Sequence, residues 1–224
     1  MMSDEKKEDE SPEGSFVSKL LGLLQPVIEL PIKAGTSVWP VYVVGFAIFL
    51  LGRDKKFTED DLSRSYQIAL AGMAKYAVKK YNGVVGGGDR AAYKDKYPQM
   101  SAYMGESSPG SPLIGKSDVV KSSGLVEDYM YFLGQFTAKE LDDYYLIEDF
   151  YDFNNFKNDT NFFSKVTNAW GEFKSAVSVI AKKKSARSVY DLVRKMATFR
   201  HGTGYKGFPL RIKVPKEFAP RNDP

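Results

Sequence analysis

The sequence has no cysteine and only one histidine, His201, among its 224 residues. Without cysteine the chain can form no disulfide, no thiol nucleophile and no thiolate site for zinc or an iron–sulfur cluster. A single imidazole also excludes sites that need two, including the HExxH zinc helix. The sequence therefore favours a protein that is not an enzyme and that has no catalytic residues, metal or cofactor.

Charged residues are missing from the apolar segment Val38 to Gly52, VWPVYVVGFAIFLLG. With the weakly polar residues before it, the segment reaches the roughly 17 to 25 residues that a helix needs to span a bilayer. Trp39 and Tyr42 lie near one end, as interfacial aromatic residues do, and the cationic stretch 53–56 follows the other end. This pattern predicts a transmembrane helix over residues 34–53, and the alternative is a buried core helix of a soluble protein.

The segment before it, residues 15–33, is also apolar, but it contains Lys19 and Glu29 as well as two prolines. A spanning helix would place a carboxylate in the hydrocarbon, which is costly, so we expect an amphipathic helix at the membrane interface. A tight transmembrane hairpin is the alternative. Residues 1–14 are highly charged and predict a disordered acidic tail. The basic residues after the span place the C-terminal part on the cytoplasmic side.

The remaining chain predicts a mainly α-helical protein, in which a soluble helical bundle with one short C-terminal strand follows the membrane segment. Residues 57–81 should form an amphipathic helix, which Thr58 and Asp61 open as a capping box. Residues 82–117 are rich in Gly, Ser and Pro and predict a flexible loop. Residues 118–224 predict a helical domain with a basic C-terminal part. Within it, Thr137 and Glu140 should cap a helix, and FPLRIKVP alternates like a strand.

One motif suggests nucleotide chemistry, because GSPLIGKS matches the P-loop expression G-x-x-x-x-G-K-[ST]. Its candidate nucleotide-binding residues are Gly110, Gly115, Lys116 and Ser117. In a working P-loop the glycine amides surround phosphate oxygens, and the motif connects a buried strand to a helix. The sequence before Gly110 does not resemble a strand, so a loop without nucleotide is the favoured interpretation.

Charge is strongly segregated along the chain. Residues 125–164 hold nine acids and two bases, whereas residues 174–224 hold thirteen bases and three acids. The first block predicts an acidic and aromatic surface, which suits a protein interface; it comprises Asp142, Asp143, Tyr144, Tyr145, Glu148, Asp149 and Tyr151. The second predicts a basic surface comprising Lys182, Lys183, Lys184, Arg187, Arg194, Lys195 and Arg200. The basic surface could bind anionic lipid, bind nucleic acid, or neutralise the acidic block.

These patterns together favour a membrane-anchored, non-enzymatic subunit that assembles with other proteins in a membrane-associated complex of the secretion, conjugation or virion type. The expected partners are other membrane or membrane-associated proteins, with anionic lipid and self-association as further possibilities. A membrane-tethered nucleic-acid binder and a P-loop nucleotide binder are the alternatives.

Overall fold

A computed structural model describes residues 12–52, 57–86, 90–152, 160–171, 175 and 189–224, and it shows a mainly helical protein with one four-stranded antiparallel sheet. The helices are α1 (Pro12–Ala34), α2 (Val41–Leu51), α3 (Arg64–Tyr81), α4 (Arg90–Glu106), α5 (Lys116–Ser123), α6 (Val126–Phe132), α7 (Thr160–Ala169) and α8 (Val189–Gly202). The strands are β1 (Val84–Val85), β2 (Phe136–Glu140), β3 (Tyr144–Tyr151) and β4 (Phe208–Pro215). Short 3₁₀ turns lie at Gly35–Ser37, Glu59–Asp61 and Lys216–Phe218.

Helix α2 forms the centre of the hydrophobic core. Each residue from Val41 to Leu50 is buried, and the helix contacts α1, α6, α7 and α8. The Phe46 ring packs edge-on against Phe162 and Phe163. With 11 residues, α2 is about 16 Å long, whereas the hydrocarbon of a bilayer is about 30 Å thick. The expected transmembrane helix over 34–53 is therefore corrected to a core helix, whose apolar surface is covered by the preceding helix α1 and by α6, α7 and α8.

Helix α1 packs one face on this core, in agreement with the amphipathic helix expected over 15–33. Val17, Leu20, Leu24 and Ile28 are buried along that face. In the described part of the chain, Gly14–Ser37 is the one helical stretch long and apolar enough to cross a membrane, and a third of its most apolar window is buried. Residues 1–11 of the acidic tail expected over 1–14 lie outside the described residues. The last three residues of that expected tail, from Pro12 onward, belong to α1.

The helix expected over 57–81 is present as α3, although it begins later, at Arg64. The amide of Thr58 donates to Asp61 Oδ2 at 3.0 Å, so the expected capping interaction forms, but it closes the 3₁₀ turn Glu59–Asp61. Residue Ser63 then precedes the first turn of α3. Helix α3 packs against β2, β3 and β4 and thereby joins the helices to the sheet.

The sheet contains the expected C-terminal strand, β4, and three strands that the sequence analysis missed. The strands pair in the order β1-β2-β3-β4, and the β3–β4 register places Tyr145 opposite Val214 and Ile147 opposite Ile212. The helix expected after Thr137 is wrong, because Phe136–Glu140 and Tyr144–Tyr151 form a hairpin. Side chains of the hairpin alternate between the two sheet faces, so its aromatic residues gave no helical stripe.

The flexible loop expected over 82–117 is also corrected, since this segment contains β1 and the helix α4. Tyr97, Met100 and Met104 are buried along α4. At Gly72 of α3 an added Cβ would lie 2.6 Å from the sulfur of Met104, so a glycine is needed for the close packing of α3 on α4. The high glycine and serine content of the segment concealed this helix. Helix α5 ends at Ser123, and α6 begins at Val126.

Candidate interaction surfaces

The outward face of α1 carries apolar side chains that do not join the core. Leu23 is 73% exposed and Leu30 is 38% exposed. Together with Lys19, Pro26 and Lys33, they recur at alternating spacings of four and three residues, which places all five on one stripe of the helix. We call this stripe the α1 outer face. Val38, which is 68% exposed, lies just beyond its C-terminal end.

The P-loop-like segment is held as a packed turn between two helices. It follows α4, not a strand, and Gly110 lies so close to the carbonyl of Ala219 that a Cβ would overlap it. The amide of Gly115 donates to Asp118 Oδ2 at 3.0 Å, so a carboxylate of the chain itself occupies the start of α5. Lys116 and Ser117 are exposed and begin that helix. Gly110 therefore lies in a tightly packed turn, and the amide of Gly115 at the start of α5 is already bound to Asp118.

The residues expected to form one acidic and aromatic surface are divided between the two faces of the sheet. Tyr145 and Tyr151 are buried against the helices, whereas Asp142 and Asp143 are exposed in the β2–β3 turn. Asp149 lies opposite Leu210, on the face that holds the core. Of the seven residues expected in the acidic and aromatic surface, only Tyr144 and Glu148 lie on the face of β3 that points away from the core. The sequence did not reveal this division because it did not predict the strand.

Asp149 has a buried carboxylate oxygen, Oδ2, without a hydrogen-bond partner. Its other oxygen accepts the amide of Phe150 at 2.7 Å. Burial raises the pKa of Asp149 to about 8, although the hydrogen bond from Phe150 acts in the opposite direction. At neutral pH this carboxyl group is therefore largely protonated.

Two acids of the hairpin, Glu140 and Glu148, are paired with bases of the same chain. Lys139 Nζ lies 2.7 Å from Glu148, and Arg211 Nε lies 3.4 Å from the other oxygen of that carboxylate. Lys216 pairs with Glu140 at 2.8 Å, and this hydrogen bond lowers the pKa of Glu140. Arg211 of β4 and Lys216 just after it thus pair with acids of the hairpin, whereas the neutralisation expected of the basic surface Lys182 to Arg200 stays a prediction.

The expected basic surface is only partly within the described residues, because 182–184 and 187 lie outside them. Arg194 and Lys195 are exposed on α8. Arg200 does not belong to a free surface, since its Nε donates to the carbonyl of Leu50 at 2.8 Å. Its guanidinium also packs beside Gly52, the residue that ends α2 in a left-handed conformation. Burial lowers the pKa of Arg200, which nevertheless stays charged at neutral pH.

A surface that the sequence analysis missed is the side of the sheet that faces away from α3. Its central strand is β3, and its side chains come from three strands. We call it the outer sheet face, and it comprises Thr137, Lys139, Tyr144, Leu146, Glu148, Phe150, Pro209, Arg211 and Lys213. Phe150 is 49% exposed, and Lys213 Nζ lies 4.9 Å from the centre of the Tyr144 ring. The alternation in β4 was the only sequence signal for this face.

A groove of about 750 Å³ lies at the end of the sheet, next to the β2–β3 turn. Its walls carry five acids, Glu59, Asp60, Asp142, Asp143 and Glu217, together with Lys213 and Lys216. Both lysines already have partners, Tyr144 and Glu140. Within the described ranges, no group of three or more His, Cys, Asp or Glu side chains is placed to hold a metal ion.

Comparison with models of protein families, with curated proteins and with solved structures finds no match for this chain.

Proposed function

We propose that this chain is a membrane-associated, non-enzymatic assembly protein that lies on a bilayer through the α1 outer face. The observation that carries the proposal is the exposure of Leu23 and Leu30 on a helix whose opposite face belongs to the core. Lys19 and Lys33 stand at the two ends of the same stripe, and Lys33 also pairs with Glu29 at 3.1 Å. Apolar side chains flanked by lysines are typical of helices that lie in the membrane interface, where the lysines attract anionic headgroups.

An interfacial position suits α1 better than a spanning one. A helix crossing the bilayer would withdraw Val17, Leu20, Leu24 and Ile28 from the core, where they are buried. Those side chains would be buried again in lipid, but the core surface that they now cover would be exposed to water at a cost of about 25 cal/mol per Å². A helix that lies on the surface keeps these contacts and buries Leu23 and Leu30 in the lipid.

The remaining faces of the protein would then be available to other proteins on the same membrane. Because α2 does not span a bilayer, the charge rule for the loops of spanning helices does not apply, and we assign the fold to no side of the membrane. Partners of this assembly function would be other membrane-associated proteins or further copies of the chain. The groove at the end of the sheet, with its five acids, and the exposed bases of α8 are charged surfaces that could orient such partners.

Vesicle sedimentation of the full chain tests the membrane part of the proposal. The protein should pellet with vesicles of phosphatidylcholine and phosphatidylserine, and Leu23→Gln should weaken this binding about tenfold, since 1.4 kcal/mol corresponds to a factor of ten. Leu113→Gln is the matched control, because Leu113 is 75% exposed in the turn before α5. Equal vesicle binding by both variants would overturn the proposal, provided that circular dichroism shows both to be folded.

A further inference from the structure

We propose that the outer sheet face binds single-stranded nucleic acid. Tyr144 and Phe150 would provide surfaces on which bases stack, and the three cations Lys139, Arg211 and Lys213 would contact phosphates. This inference is independent of the proposed membrane function, because it uses no residue of α1. It rests on the openness of the sheet face, on its charge and on its aromatic side chains.

The openness of the face follows from the packing of the sheet. Among the described elements, α3 is the helix that packs extensively on β2, β3 and β4, and it lies against the opposite face, where Tyr145, Ile147 and Ile212 are buried. Phe150 stands half-exposed beside Pro209 at one end of the outer sheet face. An open antiparallel sheet with exposed aromatic rings is a geometry on which unpaired bases can stack.

The charge of the face suits a polyanion. Within the face three cations accompany one acid, Glu148, whereas the acids of the groove, Asp142 and Asp143 among them, lie beyond its Tyr144 end. Arg211 and Lys213 are two residues apart on β4, hence about 7 Å, and both point outward. The Arg211 side chain is 71% exposed although it approaches Glu148, so its guanidinium remains accessible to a phosphate. Such contacts bind any sequence and weaken as salt increases.

The aromatic residues and the cations are arranged in a line that a strand of nucleic acid could follow. Tyr144 and Phe150 are six residues apart along β3, which corresponds to about 20 Å, and the cations lie between them. The ammonium of Lys213 already lies over the Tyr144 ring, so one cation is next to a stacking surface.

The same face is poorly suited to a bilayer. Leu146, its central aliphatic residue, is only 4% exposed between Lys139 and Lys213, which are its direct neighbours across the sheet. Phe150, at 49%, is then the well-exposed large apolar side chain of this face, and a single ring gives little insertion into lipid. A single-stranded nucleic acid does not need to insert into the face. It needs aromatic rings on which bases stack and cations that contact its phosphates, and the face has both.

Fluorescence anisotropy with a labelled oligothymidylate of about 15 nucleotides tests the proposal on the full chain. We expect saturable binding that weakens strongly between about 0.05 and 0.2 M salt. Phe150→Ala should weaken binding about tenfold through loss of stacking. Lys213→Gln should weaken binding and reduce the salt slope by about one.

Lys121→Gln and Leu113→Ala serve as controls, because both residues are exposed on the α5 side of the molecule, away from the sheet. Neither control should change the affinity. Absence of oligonucleotide binding would overturn the proposal, and so would binding that the two sheet variants leave unchanged, since the affinity would then lie elsewhere. Vesicle sedimentation of Phe150→Ala separates this face from a membrane surface: a loss of vesicle binding without oligonucleotide binding would assign the face to lipid.

Discussion

The ammonium of Lys75 lies 3.0 Å from the carboxylate of Asp223 and is surrounded by the three residues that precede that acid. It donates hydrogen bonds to the carbonyls of Pro220, Arg221 and Asn222 at 2.9 to 3.1 Å. Lys75 is buried in α3, so one side chain fixes the C-terminal segment to the helix that supports the sheet. The neighbouring Lys75 charge also lowers the pKa of Asp223.

We therefore expect Lys75→Met to lower the free energy of unfolding by about 1 to 3 kcal/mol, because three carbonyls lose their donor. Lys79→Met is the matched control: Lys79 is exposed one turn later in α3, and its replacement should change stability little. Urea unfolding followed by circular dichroism measures both. Equal stability of the two variants would show that the C-terminal segment is held by other contacts.

The buried carboxyl group of Asp149 should make stability depend on pH. Its pKa is raised from 3.8 to about 8 in the folded chain, so between these values the folded state binds more protons than the unfolded state. The free energy of unfolding should therefore fall as pH rises from about 4 to about 8. Asp149→Asn keeps an oxygen acceptor for the Phe150 amide and should flatten this part of the profile and stabilise the protein at pH 8. Thermal unfolding across this range checks it, and an unchanged profile would place the titration on another group.

An alanine substitution in α2, compared with one in α1, tests whether α2 is a core helix. A Cβ on Gly45 would lie 2.5 Å from the Phe132 ring, so Gly45→Ala should lower the free energy of unfolding by about 1 to 3 kcal/mol. Gly22 of α1 has no heavy atom within 4 Å of its added Cβ, so Gly22→Ala should be neutral or stabilising by up to about 1 kcal/mol. Melting temperatures of the two variants are the measurement. A harmless Gly45→Ala would mean that α2 does not pack against α6 as described.

Lys116→Ala should leave nucleotide binding unchanged, because Asp118 occupies the amide of Gly115 and no strand precedes the motif. Equilibrium dialysis with ATP and GTP is the measurement, and Lys121→Ala on the same helix is the control. Saturable nucleotide binding lost only in Lys116→Ala would establish a phosphate site that the closed turn does not suggest.

Amphipathic periodicity predicted α1 and α3 correctly, because each turns one apolar stripe toward the core. Helix α8 has a stripe of the same kind, in which Leu192, Val193 and Met196 are buried. The hairpin was missed because Thr137 and Glu140 have the spacing of a capping box, whereas cross-strand pairing depends on residues distant in sequence. The identity of β4 was predictable, since its alternation of Leu210, Ile212 and Val214 with exposed residues is regular.

The candidate sites were less predictable than the helices. The bases of β4 belong to the basic block 174–224, but whether they meet Glu148 or a partner depends on the strand register. Arg200 resembled an exposed base in the sequence, and its bond to the carbonyl of Leu50 joins residues 150 positions apart. Hydropathy of residues 34–53 could not distinguish a bilayer from a protein interior, because both environments select the same apolar side chains.

The central position of α2 has a consequence for synthesis of the chain. The helices α6, α7 and α8 that cover α2 are translated after it, and α8 ends about 150 residues beyond Leu51. At about 5 to 20 residues per second, the ribosome needs roughly 8 to 30 s to complete this cover. During that interval the nascent protein exposes an uncharged apolar segment, which a chaperone or a membrane surface would have to shield from aggregation until the last helix arrives.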